Sequence, residues 1–205
     1  CNNKLAVIGF FTLVLIALIV IIVPPFLPFS EAEIDPLAFN MPPSAKHLLG
    51  GDDVGRDVLS RLLYGGRVSL AVGIFSTAVS VIVGIPLGML AAFYRGAFEV
   101  VVMRLSDIFM SFPSTILILF LVSMFGPSIV TVTVVIGVLG WPKFARQIYG
   151  SVLSIREKDY IEGAVAIGAK DKLIITRYIL PNAVAPIFIS ITFRIASAII
   201  LESSL

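Results

Sequence analysis

The charged residues of this chain are few, and their spacing suits pairing and capping rather than catalysis. Asp159 and Glu162 stand three residues apart, the spacing of a capping box at a helix start. Gly168 follows where a left-handed residue would end a short helix. Arg104 and Asp107 are also three apart and can pair on one helix face. Asp52, Asp53 and Asp57 lie among Arg56 and Arg61, which reads as a salt-bridged loop. Arg194 is a charge within an apolar run, at an insertion cost of ~2.5–3.5 kcal/mol near a bilayer centre. The single Cys1 and single His47 exclude an internal disulfide and leave too little for a Cys/His metal site. His47 reads as a surface residue of a polar loop. A membrane enzyme would need a nucleophile–base set, a metal cluster or paired carboxylates, and none is evident. There is no Gly-x4-Gly-Lys-Ser/Thr phosphate loop, so the chain carries no ATPase motif.

The elements that position these residues are apolar. Of 205 residues, 58% are hydrophobic and 14% charged, whereas soluble domains carry about a quarter charged residues. No basic stripe with interleaved aromatics marks a nucleic-acid surface. Residues 5–23 form an uncharged run that nearly covers a ~30 Å hydrocarbon core, ended by Pro24 and Pro25. It is too long for a signal-peptide apolar region, and it makes numbering of a fragment that lacks its natural start a simpler account of Cys1 than a lipid-modified terminus. Residues 24–67 are a polar connection whose second half, 54–64, spaces Val54, Val58, Leu62 and Leu63 as a short amphipathic helix. Residues 68–94 make a second span, in which Gly84 and Gly88 permit close helix approach and Pro86 predicts a kink. The uncharged run 108–142 is too long for one crossing, and Gly126-Pro127-Ser128 divides it. Two spans result, about 100–125 with a kink at Pro113, and about 128–148. Trp141-Pro142 reads as a membrane-interface mark. Residues 181–201 make a fifth span.

Residues 143–177 hold seven basic and four acidic residues, against four basic and six acidic in residues 24–67. The positive-inside rule therefore puts 143–177 in the cytoplasm and 24–67 outside. Within the cytoplasmic stretch, Ile161, Ala164, Val165 and Gly168 share one helical face. Asp171 could cap a second helix over 172–180, with Leu180-Pro181 returning the chain to the membrane. A helix-turn-helix between two spans has no lipid core for its apolar face. It either lies on the bilayer surface or docks on a protein. Arg194 either snorkels toward the outer end of its span or lines a solute cavity.

Glu162-Gly163-Ala164, followed by Gly168 and by Leu180-Pro181, resembles the EAA loop of binding-protein-dependent ABC importer permeases. Gly163 stands where Ala is usual, and Tyr178 where an aliphatic residue is common. The resemblance extends along the chain from about Leu49. Residues 51–61 and 62–70, Arg104-Leu105-Ser106-Asp107-Ile108 with Pro113, and Gly140-Trp141-Pro142 are similar to the C-type dipeptide/oligopeptide permeases.

This resemblance implies an all-α polytopic helix bundle of the type I ABC importer class in a bacterial inner membrane. Six spans are expected, of which five are seen here. It divides the chain into a first helix (1–23), a periplasmic loop (24–67) and a core permease region (68–205). The coupling loop falls at about 149–180, and Tyr160, Ile161, Glu162, Gly163, Ala164, Ile167 and Gly168 form its docking helix. The implied partners are two ATPase subunits carrying ATP and Mg²⁺, a second homologous permease, a periplasmic substrate-binding protein and membrane lipid. The chain itself binds no cofactor in this reading; the resemblance gives Arg194 no role, and its assignment to the translocation path rests only on its being a charge within a span. Di- and oligopeptides are the foremost implied solutes, with glutathione and nickel complexes also within the range of the resembling subfamily. A secondary transporter is the competing reading, but no repeat and no intramembrane carboxylate pair supports it.

Overall fold

The computed structural model describes residues 4–205, so Cys1 lies outside the described residues. The chain divides into two compact units, Cys1–Ala71 and Val72–Leu205.

In the first unit, α1 (Lys4–Ile22) is apolar on all sides, as suits a helix surrounded by lipid. Pro24 starts a 3₁₀ turn, Pro24–Phe26. The following loop is a stapled knot rather than a slack linker. Two isolated antiparallel bridges, Ile34–Arg56 and Gly51–Asp57, close it. The Asp52 carboxylate accepts the amides of Val54 and Arg56, each at 2.9 Å, and pairs with the Arg56 and Arg61 side chains. These amide bonds, led by that of Arg56, hold its carboxyl well below the usual range against the opposing effect of burial.

His47 is buried, not on the surface. Its ring stacks on Phe29 at 4.6 Å, Nδ1 lies 3.0 Å from Asp57 Oδ1, and Nε2 lies 3.4 Å from Asp35 Oδ2. Sequence spacing hides this, because the two carboxylates come from opposite sides of His47 along the loop. Helix α2 (Val58–Tyr94) starts where Asp57 accepts the Ser60 amide at 2.8 Å. The amphipathic turn expected at 54–64 is thus the first part of one long helix. Gly65 and Gly66 do not break it, and a Cβ at Gly66 would sit 3.3 Å from Val20.

In the second unit, α2 continues through Pro86 without a break. Helices α3 (Gly96–Ser111) and α4 (Ser114–Phe125) meet at 88°. Phe112 is extended there, as a residue before proline prefers. Gly126, at φ 91°, ends α4, and the Ser128 hydroxyl accepts the Thr131 amide to cap α5 (Ile129–Arg156).

Helix α5 crosses α2 with almost no space between backbones. A Cβ on Gly84 would lie 2.6 Å from the Trp141 carbonyl oxygen, and one on Gly88 would overlap the Ala145 carbonyl. Gly137 of α5 gives the reciprocal approach, and Ser80 Oγ donates to its carbonyl at 2.7 Å. Trp141 is buried against Phe109, ring centres 5.9 Å apart, and does not mark an interface. Asp107 pairs with Arg146 of α5 rather than with Arg104 on its own helix. Both corrections have one cause: α3 packs along α5, so residues facing α5 are buried or paired there.

After α5 come α6 (Asp159–Ala166), the short α7 (Asp171–Leu173), a π-helical segment Ile174–Ile179, α8 (Leu180–Val184) and α9 (Ile187–Ser203). The helix returning to the membrane therefore continues past Leu180-Pro181 to Val184. Pro181 sits in the first turn of α8, where its missing N–H costs little. The bend of 57° comes instead before α9. By length and composition, α2 and α5 can each cross a bilayer, and the two bent pairs supply up to two more crossings. Residues Val7–Ile22 of α1 add a shorter apolar helix.

Candidate coupling segment and membrane cleft

Helix α6 begins one residue earlier than a capping box on Asp159 would place it. The Lys158 carbonyl already accepts the amides of Ile161 and Glu162, at 2.8 and 3.3 Å, so Asp159 is the first helical residue. No side chain caps this end. Asp159 and Glu162 both lie in the first turn, where negative charge complements the helix dipole.

The other end is a complete Schellman motif. Gly168 N–H donates to Val165 O at 2.9 Å, and Ala169 N–H donates to Ala164 O at 3.0 Å. Gly168 takes φ 77°, as expected of a left-handed terminator. No heavy atom would meet a Cβ there, so backbone conformation alone asks for glycine.

The seven residues 160, 161, 162, 163, 164, 167 and 168 fall into two sets. Ile161 and Ala164 are buried in a core that also contains Ala92 of α2, Phe144, Ile148 and Val152 of α5, Ile179 of the π segment and Ile187 of α9. Tyr160, Glu162, Gly163, Ile167 and Gly168 face outward. Ile167 is 86% exposed and Tyr160 49%. Val165, at 59%, joins them. Among the described residues, Glu162 has no side-chain partner. One face of α6 is thus fixed to the span helices, and the other presents apolar side chains around a free carboxylate.

Arg156 was not singled out in the sequence and tightens this attachment. As the last residue of α5 it donates from Nη1 to the carbonyls of Phe93 and Ala92, at 2.8 and 3.3 Å, at the C-terminus of α2. Its guanidinium also lies 5.7 Å from the Phe93 ring. A cation on the last carbonyls of a helix is the favourable end for its dipole.

Arg194 does not snorkel. Its Nη2 donates to the Ile136 carbonyl of α5 at 2.8 Å. Gly140 makes room for it, since a Cβ at that position would lie 2.5 Å from the same nitrogen. Arg194 Nε is buried with no partner. With Lys143, Gln147, Ser190, Phe193 and Ser197, Arg194 lines a cleft of about 320 Å³ between α5 and α9. Sequence reading missed the four polar companions because they sit on two helices far apart in the chain.

A membrane bundle of bent and close-packed helices defines the class. Residues 84–205 match the family described as binding-protein-dependent transport system inner membrane component, and residues 1–43 match the N-terminal transmembrane domain of oligopeptide transport permease C. The chain belongs to this family of transport-system inner membrane components. It is 37% identical over 204 residues to a dipeptide transport system permease protein DppC of Alkalihalophilus pseudofirmus, covering 100% of this chain and 67% of the relative. It is 38% identical over 198 residues to a glutathione transport system permease protein GsiD of Pectobacterium atrosepticum, covering 96% and 65%. An oligopeptide permease protein OppC of Bacillus subtilis shares 30% over 204 residues, covering 100% and 67%. The chain therefore spans about two thirds of the length of these relatives. In fold it resembles a chain of the MetNI methionine ABC transporter in inward-facing conformations, with TM-score 0.60 and 24% identity over 70% of this chain and 72% of that one. The all-α type I importer bundle inferred from the resemblance is the observed architecture.

Proposed function

We propose that this chain is the transmembrane permease subunit of an ATP-driven importer for di- or oligopeptides. It pairs with a second homologous permease to form the solute path, and a periplasmic binding protein delivers the solute. ATP and Mg²⁺ are held by two separate ATPase subunits. Membership of the inner membrane component family and the peptide, dipeptide and glutathione permeases among its relatives support this reading.

The observation that carries the coupling is the two-sided α6. Tyr160, Glu162, Gly163 and Ile167 offer an apolar knob with a free acid to a groove on an ATPase. Ile161 and Ala164 anchor the same helix in the core shared by α2, α5 and α9. Displacement of α6 by closing ATPases then moves the span helices instead of being absorbed in a loose loop. Glu162 pairs with a basic group in the groove, and truncating such a pair costs roughly 2–5 kcal/mol when it is buried. Gly168 sets the angle between the two limbs.

The test is site-directed crosslinking in the assembled transporter. With Cys1→Ser as background, Ile167→Cys should form a disulfide with a cysteine scanned along the ATPase groove, and ATP should change the yield. Absence of any crosslink to the ATPase across the whole scan would overturn the coupling role of α6. Uptake that follows an ion gradient and ignores ATP would favour a secondary transporter.

A further inference from the structure

The cleft between α5 and α9 carries two positive side chains and no carboxylate. Lys143 has no hydrogen bond or ion pair among the described residues. Arg194 is held from one side by the Ile136 carbonyl and keeps a buried Nε without an acceptor. An unpaired donor on a charged group within an apolar helix is expensive and is normally answered by an acceptor. The rest of the lining is suited to a small polar anion. Gln147, whose Nε2 also donates to the Pro186 carbonyl at 3.4 Å, and Ser190 supply an amide and a hydroxyl, and the largely exposed Phe193 lines the cleft beside them. The volume of about 320 Å³ is at the small end of ligand pockets, enough for the end of a solute rather than a large one. The planar guanidinium fork matches a carboxylate in two-point geometry. The cleft lies between α5 and the apolar helix α9. Lys143 lies 14 residues into α5, about 21 Å from its start, and Arg194 lies near the middle of α9.

We propose that this cleft binds the free carboxylate of the transported solute, with Arg194 and Lys143 as the charged ligands and Gln147 and Ser190 as hydrogen-bonding ones. The proposal rests on the permease reading above, since every linear peptide brings one such carboxylate. A cation pair inside the path gives an anionic terminus a resting point without burying it uncompensated. It also orients the peptide, carboxylate toward α9.

The test uses the complete reconstituted transporter with Cys1→Ser and Ser197→Cys, without the binding protein. Thiol modification by a negatively charged methanethiosulfonate should outpace that by a positively charged one by about tenfold, the scale of electrostatic focusing in a charged cleft. Adding Arg194→Gln or Lys143→Gln should erase most of that preference, and Arg194→Lys should keep it. Tri-alanine should protect the thiol, whereas tri-alanine amide and inorganic phosphate should not. Equal protection by the amide, by phosphate, or by neither peptide overturns the proposal. So does a lost preference for the negative reagent in the assembled complex but not in the permease alone, since a partner's acid would then fill the cleft. Uptake with binding protein and ATP, measured in the same vesicles, tests the permease reading separately. Protection without any ATP-driven uptake would sink that reading and leave carboxylate binding standing.

Discussion

Gly163 and Gly168 differ in what they ask of the chain, though both lie in or beside the same short helix. Gly163 sits mid-helix at φ below zero, and a Cβ there would touch nothing. Gly163→Ala should therefore raise helix stability by up to ~1 kcal/mol and leave uptake intact. Slower amide hydrogen exchange across residues 159–166 would register it. Gly168 needs its left-handed φ of 77°. Gly168→Val should cost ~1–2 kcal/mol or more, undo the Schellman end and uncouple ATP hydrolysis from uptake while membrane insertion survives. Normal uptake by that variant would count against the coupling role. The loop residues Asp35 and Asp57 lead to a pH prediction. Lys46 and the Leu37 amide hold the Asp35 carboxyl down at about 2. Burial pushes Asp57 up, but the Ser60 amide and His47 outweigh it and leave it lowered. A depressed carboxyl stabilises the folded loop above its ordinary value of 3.8, and that stabilisation is lost as pH falls through about 2. Pepsin cleavage within residues 24–67 should rise steeply between those two values, and a flat cleavage rate would contradict the staple.

The α2–α5 crossing is an element whose chemistry is the absence of side chains. Gly84→Val would drive its branches into the Trp141 carbonyl and Phe144, and the closest contacts are backbone atoms that cannot swing aside. Overpacking of this kind costs ~1–3 kcal/mol or more. The thermal midpoint of the purified permease should fall by several degrees, and an unchanged midpoint would mean the helices can separate freely. This crossing was legible in the sequence, because a glycine pair four residues apart inside an apolar span has few other uses. The α3–α4 elbow at Pro113 and the left-handed Gly168 were legible for the same reason, each resting on one residue's backbone limits. What escaped was which polar and charged side chains meet across distant segments. His47 lies beside Asp57 and Asp35 through loop closure, Asp107 meets Arg146 across a helix pair, and Arg156 reaches the end of α2. Local spacing offered Arg104 as the partner of Asp107 because i,i+3 pairs are visible in a string and interhelical ones are not. The π-helical turn at Ile174–Ile179 left no signal in the residue pattern.

For the whole chain, sidedness decides the mechanism. In the proposed reading, the charge asymmetry between residues 143–177 and 24–67 puts α6 on the cytoplasmic face. Lys158→Cys in a Cys1→Ser background should react with an impermeant maleimide in inside-out vesicles and stay unlabelled in right-side-out cells. Labelling from outside would end the coupling argument, whatever the fold. The exposed side chains of α6 also bear on how such a subunit is handled in the cell. Ile167, Val165 and Tyr160 form a greasy tip on the charged stretch 143–177. Exposed apolar tips of this kind are where soluble partners, chaperones and proteases take hold. If α6 docks on an ATPase as proposed, a copy made in excess of that motor advertises its own orphan status, and balanced synthesis of the two becomes a condition for its survival.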